Sequence, residues 1–254
     1  MKETSTVPGC EAKLAYGFHA ARPGMSKTSS ESCSSAAQSS QAIRRKALEL
    51  GGDLMGICHL DRRWLTEKST LGVDSGTPAL PWVVVLGVAM KPSAFRNSPS
   101  PAIIEETRRG YRRMKDIACA LGEHIACLGH NALSAGNGEA MSVPLAIDAG
   151  LGALGRNGLL LAPGLGSCLR LCKVFTDMPL EPTSKRGPAF AERCEDCVIC
   201  AEACPSKAIA VERRPPEGRW RVHPERCGDH WSQTKQQCAA CISACPATWE
   251  DGEP

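Results

Sequence analysis

Eight cysteines carry the strongest chemistry in this sequence. Cys194, Cys197, Cys200 and Cys204 form C-x2-C-x2-C-x3-C, followed by Pro205. A second group, Cys227, Cys238, Cys241 and Cys245, has the spacing C-x10-C-x2-C-x3-C and precedes Pro246. The first run is the bacterial pattern for holding [4Fe–4S] clusters. Cysteines at i, i+3 and i+6 wrap a loop around three corners of a cube. The fourth starts a helix that points away, so it ligates the other cluster. Proline after it fixes the helix entry. Two cubanes need two quartets of thiolates, and two quartets are present. Cluster 1 is assigned Cys194, Cys197, Cys200 and Cys245; cluster 2 is assigned Cys204, Cys227, Cys238 and Cys241. The competing reading is a pair of structural zinc sites. Zinc frameworks usually bring their ligands as separated pairs, which a triple run with two Cys-Pro endings does not match.

The other cysteines, Cys10, Cys33, Cys58, Cys119, Cys127, Cys168 and Cys172, show no ligand spacing. They are expected to be small buried hydrophobes.

The elements that must position these ligands differ along the chain. Residues 188–250 hold few aliphatics, so bound metal must supply much of their stability. A linker-like EPTSKRGP precedes them. Residues 41–180 alternate strand and helix patterns, which predicts a layered α/β domain. A helix is expected from Gln41, with Ser40 as a possible N-cap and Gly51 as its stop. The β-branched run at 82–88 predicts a strand. Met114, Ile117, Leu121, Ile125 and Leu128 recur at helical spacing within a long helix over 103–128, closed by Gly129. A short apolar helix is expected over 143–151, and strands at 159–161 and 169–175. Asp148 lies in the apolar run LAIDAGLG and needs a partner, for which Arg156 is the candidate. Residues 1–40 are serine-rich in part and read as a flexible leader.

Composition removes several function classes. The chain has 254 residues, of which 43% are hydrophobic and 22% charged, as in ordinary globular proteins. Aromatics are only 4%, which speaks against a stacking platform for single-stranded nucleic acid. Thirty Lys and Arg against 27 Asp and Glu imply no polyanion partner. No apolar stretch is long enough to span a membrane. With no apolar signal region and no twin-arginine pair at the N-terminus, a cytoplasmic chain is expected. Walker A is absent, and Gly150, Gly152 and Gly155 follow a helix-like run, so a dinucleotide site is poorly supported.

The block SVPLAIDAGLGALGRNGLLLAPGLGSCLRLCKVFTDMPL (142–180) closely resembles the core signature of corrinoid-dependent reductive dehalogenases. LGGDLMGICHLDRRWL, the strand at Val83 and the double cysteine motif also look like that family, so the resemblance covers residues 45–250. It implies a layered α+β/α/β, nitroreductase-like cobalamin-binding core followed by a ferredoxin-like double-cluster domain. It further implies two [4Fe–4S] clusters, a corrinoid, an organohalide substrate and a low-potential electron donor. The family uses a tyrosine, an asparagine and an arginine around the halide site; Tyr111, Asn137 and Arg170 fit in that order. The resemblance also places Gly152, Gly155, Arg156, Asn157, Gly166 and Ser167 near the corrin ring. On local chemistry alone, Tyr111 continues an apolar helix face, Asn137 is a turn residue, and Arg170 suits the solvent side of a half-buried strand.

The sister family is the cobalamin-dependent epoxyqueuosine reductases, whose general-acid aspartate falls where this chain has Met141. Pro163-Gly164-Leu165-Gly166 stands where dehalogenases often have Pro-Glu-Tyr-Gly. The expected function is reductive dehalogenation. The alternatives are a tRNA-modifying cobalamin reductase and an iron–sulfur electron-transfer module with no catalysis of its own.

Overall fold

β-Branched and apolar residues set the sheet. LMGICH forms β1 (Leu54–His59) and WVVVLGVA forms β2 (Trp82–Ala89). After them come β3 (Ala132–Ala135), the two-residue strands β4 (Ala153–Leu154) and β5 (Leu160–Leu161), and β6 (Leu169–Thr176). The structure is a computed structural model and describes residues 35–71, 79–184, 192–212 and 220–249. The main sheet has the order β1-β2-β6-β3, and each of its pairings is antiparallel. The parallel sheet that an α/β reading requires does not form, and the arrangement is of the α+β kind. A crossover helix makes parallel neighbours only when the strands it joins lie side by side. Here β6 separates β2 from β3.

β2 and β6 hold the centre and are covered on both faces. Alternate residues point to opposite sides. Val84, Leu86, Val88, Cys172 and Val174 join the core under α1 (Ala36–Glu49) and α2 (Pro101–Cys127). Val83, Val85, Leu171 and Phe175 join a second core with α3 (Ser142–Asp148).

α1 begins before the expected Gln41. The Ser35 hydroxyl accepts from the Gln38 N–H at 3.3 Å, and the Gln38 side chain accepts from the Ser35 N–H at 2.9 Å. This reciprocal capping box satisfies two otherwise free donors. Ser40, expected as the cap, instead accepts from the backbone N–H of Glu181 at 2.7 Å and ties α1 to the chain leaving β6. The 1–40 leader therefore gives its last residues to α1. The rest of it, with Cys10 and Cys33, lies outside the described residues.

In α2 the expected stripe of Met114, Ile117, Leu121 and Ile125 is buried, whereas Leu128 is the exposed C-cap. Gly129 follows with φ +83°, the left-handed stop that glycine tolerates. Gly122 lies where a Cβ would collide with the Ser134 hydroxyl, which donates to the Ala118 carbonyl at 2.7 Å. A glycine is thus what lets α2 cross β3 so closely.

Cys58, Cys168 and Cys172 are buried, as expected, but Cys119 is only half-buried and Cys127 is exposed. Both lie off the buried stripe of α2. The cluster segment contributes short helices at Ile199–Glu202, Pro224–Gln233 and Ala240–Ser243. Its own small core is Cys200, Ala201, Cys204, Ala208 and Ile209. Among the described residues, no helix is long and apolar enough to cross a membrane.

Candidate functional site

Cys194, Cys197 and Cys200 share one stretch of chain, and Cys245 returns to it after Ala240–Ser243. The four line one small cavity, with Pro246 beside them. The rest of the lining comes from the front domain: Gly155, Arg156, Asn157 and Leu161. This quartet is the one that spacing assigns to cluster 1. Burial pushes the Cys200 thiol up to about 12, and nearby Cys245, Cys194 and Cys197 add to the rise. Cys194 and Cys245 are also raised, first by burial. A cationic core in the cavity would favour the thiolate forms of Cys194, Cys200 and Cys245, which burial disfavours.

The second quartet gathers as well. Burial raises the Cys227 thiol, followed by the influence of Cys204 and Cys238. Burial pushes Cys241 up to about 12, and it feels Cys200, Cys227, Cys238 and Cys204. Cys241 thus lies within electrostatic reach of both quartets. Cys204 goes the other way. Burial alone would raise it, but hydrogen bonds from the Ser206 hydroxyl and from backbone N–H groups, that of Ala208 at 3.3 Å among them, outweigh burial and favour the thiolate.

Arg156 joins the two domains. It is 2% exposed. Its Nη1 donates to the carbonyls of Ala210, Val211 and Glu212 at 3.2, 3.1 and 2.9 Å. Its Nη2 donates to the carbonyls of Cys194 and Glu195 at 3.1 and 3.0 Å. The guanidinium carbon lies 4.2 Å from the centroid of the Trp220 ring. Burying a cation costs several kcal/mol unless it is well hydrogen-bonded; here carbonyl dipoles and an aromatic face offset that cost. One side chain of the front domain so fastens three separate stretches of the cluster segment.

The remaining residues expected at the corrin ring belong to the same seam. The Asn157 amide reaches the Ser167 hydroxyl at 3.4 Å, and its Oδ1 accepts from the Leu159 N–H at 3.1 Å. A Cβ on Gly152 would strike the Leu161 carbonyl, and one on Gly155 would come within 2.8 Å of the Asn157 Oδ1. Gly166, at φ +54°, faces the Ala247 carbonyl and the Thr248 N–H, 2.6 and 2.8 Å from where a Cβ would stand. The chain itself fills the space these glycines leave open. Of the six residues expected near the corrin ring, Gly155, Arg156 and Asn157 line the cluster 1 cavity, and Gly152, Gly166 and Ser167 lie against the chain beside it.

The three expected halide-site residues are not brought together. Arg170 covers Tyr111, with its guanidinium carbon 4.7 Å from the ring centroid, and its Nη2 donates to Thr107 Oγ1 at 3.1 Å. Both lie on the α2 side of the sheet, so Arg170 is not on the strand's solvent side. Asn137 belongs to the other side. Its Oδ1 accepts from the Ser142 hydroxyl at 2.9 Å, and that hydroxyl accepts from Lys173 Nζ at 2.7 Å. Lys173 shares its side of β6 with Leu171 and Phe175, residues of the α3 core. Strand alternation therefore sets the sheet between Asn137 and the Tyr111–Arg170 pair.

Asp148 accepts from the Trp64 indole N–H at 2.8 Å, and Arg156, its expected partner, is committed elsewhere. Sequence reasoning missed Lys173, which is fully buried and whose ammonium burial lowers to about 8. The signal was present: a lysine at an inward position of LRLCKVF. Trp220, against Arg156, carried no local signal.

Residues 193–249 match a 4Fe-4S dicluster domain. The chain is 31% identical over 262 residues to a tetrachloroethene reductive dehalogenase of Desulfitobacterium hafniense, covering 82% of this chain and 48% of the relative. It is 35% identical over 247 residues to a tetrachloroethene reductive dehalogenase of Sulfurospirillum multivorans, covering 81% and 49%. The chain thus spans about half the length of the curated relatives it matches. Among solved structures, a reductive dehalogenase described as B12-dependent superposes with a TM-score of 0.76 at 22% identity, over 87% of this chain and 34% of that one. An epoxyqueuosine reductase of Streptococcus thermophilus gives a TM-score of 0.57 at 17% identity, over 84% and 66%.

Proposed function

The chain is a relative of the reductive dehalogenases, and from that premise we propose that it acts in the reductive removal of halide from an organohalide. The observation that carries this reading is the cluster 1 cavity. The glycine-rich block that resembles the family supplies one part of its lining, and the four cysteines complete it. The two clusters would form the electron relay. Cys204, Cys227, Cys238 and Cys241 would hold one cluster and Cys194, Cys197, Cys200 and Cys245 the other, with Cys241 and Cys200 near each other between them; bound there, the clusters would supply low-potential electron transfer. Fe–S potentials extend to about −700 mV, low enough for this work.

A corrinoid, when bound, supplies the carbon–halogen chemistry in such enzymes. The resemblance places Gly152, Gly155, Arg156, Asn157, Gly166 and Ser167 beside it, and Gly155, Arg156 and Asn157 also line the cluster 1 cavity. On this reading the Tyr111 hydroxyl delivers the proton to carbon. Arg170, stacked on the ring, holds it in place. Asn137 has no part in that pair and works with Ser142 and Lys173.

The test is anaerobic reconstitution with iron, sulfide and a corrinoid, followed by EPR, metal analysis and a chloride-release assay with chlorinated ethenes. About eight irons per chain, as two cubanes require, with chloride release driven by a low-potential donor, is the expected result. Zinc in place of iron would overturn the cluster assignment. Two cubanes without halide release would favour an electron-transfer module. The tRNA-modifying alternative is less favoured: Met141, 42% exposed at the start of α3, offers no proton where the sister family has a carboxylate.

A further inference from the structure

Arg156 has one N–H to spare. A guanidinium carries five N–H donors. The two Nη atoms are directed at five backbone carbonyls, while Nε is buried and has no hydrogen-bond partner among the described residues. Buried N–H groups are almost always satisfied, so an orphan asks for an acceptor that belongs at the site. Bulk solvent does not reach it, because Arg156 is 2% exposed. The same residue lines the cavity to which Cys194, Cys197, Cys200 and Cys245 also contribute.

We infer that Arg156 is a hydrogen-bond donor to cluster 1, with its Nε–H directed at a cluster or cysteinyl sulfur, and that it thereby sets that cluster's reduction potential. This rests on the cluster reading above and deepens it. Among the described residues the partners of the guanidinium are carbonyl dipoles, and no carboxylate pairs with its charge. Reduction adds negative charge to the cluster, and a nearby cation and an N–H···S bond both favour the reduced form. Arg156 therefore raises the potential of cluster 1 above that of an otherwise equal cubane. The electron is drawn from cluster 2 toward the front domain. A purely mechanical fastener would hold the domains together and leave the potential alone, which separates the two roles.

The experiment uses the full chain carrying guanidino-15N arginine, reconstituted anaerobically with iron and sulfide and reduced for pulsed EPR. The expected result is a 15N coupling and an exchangeable proton coupling on one cubane, both lost in Arg156→Lys. Redox titration of that variant is expected to shift one cluster negative by about 59 mV, a tenfold change in a one-electron equilibrium, and to leave the other in place. Arg156→Gln, which also removes the charge, is expected to shift it further. The wild-type measurement does not depend on any variant folding. Cubane signals with no arginine coupling would overturn the inference, as would Arg156→Lys holding both clusters at their original potentials. An iron-loaded chain with no cubane signal would overturn the cluster reading, and this inference with it.

Discussion

Arg170 of β6 lies over the ring of Tyr111 in α2, 4.7 Å from guanidinium carbon to ring centroid. The contact needs the bare backbone of Gly110, where a Cβ would come within 3.1 Å of Arg170 Cγ. The ring and the hydroxyl of Tyr111 can thus be separated by mutation. Tyr111→Phe keeps the stack and is expected to abolish halide release while changing unfolding stability by less than about 1 kcal/mol. Tyr111→Ala also removes the stack and should cost a further ~1–2 kcal/mol or more. Halide assays paired with thermal melts check both; undiminished turnover in the Phe variant rules out the tyrosine as proton donor.

The nesting of the cysteines gives a second prediction. Cys245→Ser should remove cluster 1 and leave about four irons, with one EPR-active cubane. Cys227→Ser should remove cluster 2 and leave a cubane of different potential. Loss of the same signal in both variants would show that the quartets are drawn wrongly.

A third concerns the seam. Gly166→Ala would force a Cβ into the backbone of Ala247 and Thr248 at a positive φ. Either effect alone costs about 1 kcal/mol or more. The expected outcome is a lower melting temperature and earlier proteolysis between the two domains, with cluster 1 lost before cluster 2 on exposure to a chelator. Gly129→Ala, strained at φ +83° but in open space, is the control and should leave the clusters in place.

Lys173 yields a pH dependence. Burial, partly opposed by Cys172 and Glu139, lowers its ammonium from 10.5 to about 8. Below pH 8 both folded and unfolded chains hold the proton, and the full cost of the buried charge is felt. Between the two values the unfolded chain binds more protons, so stability rises with pH. At ~1.4 kcal/mol per unit the rise is of the order of 3 kcal/mol. Lys173→Met should be more stable at neutral pH and lack the rise, as denaturant melts across pH 7–10.5 will read.

The sequence shows some of these features more plainly than others. The strand at 82–88, the α2 stripe and the two cysteine quartets are readable because each repeats a local period or a ligand spacing. Local patterns do not carry strand order: the β2–α2–β3 succession looks like a parallel unit until β6, from far along the chain, takes the place between the strands. The same limit explains the site. Order along the chain groups Tyr111, Asn137 and Arg170, but whether they share one side of the sheet depends on strand alternation and on which residues flank β6. Arg156 stood out in the sequence; its partners, carbonyls of residues 194–195 and 210–212, are invisible in any one-letter code.

The return of Cys245 to the stretch holding Cys194, Cys197 and Cys200 also fixes a hierarchy. In the proposed ligand sets, every cysteine of cluster 2 lies between the first and last ligands of cluster 1. Cluster 1 is the outer clasp of a closed loop, and cluster 2 is enclosed within it. Opening the outer clasp restores the conformational freedom of the whole loop and loosens the inner site, while loss of the inner cluster leaves the outer ring closed. Oxidative damage that begins at cluster 1 should therefore leave cluster 2 in place but quicker to give up its iron to a chelator, and damage that begins at cluster 2 should leave cluster 1 as resistant as before.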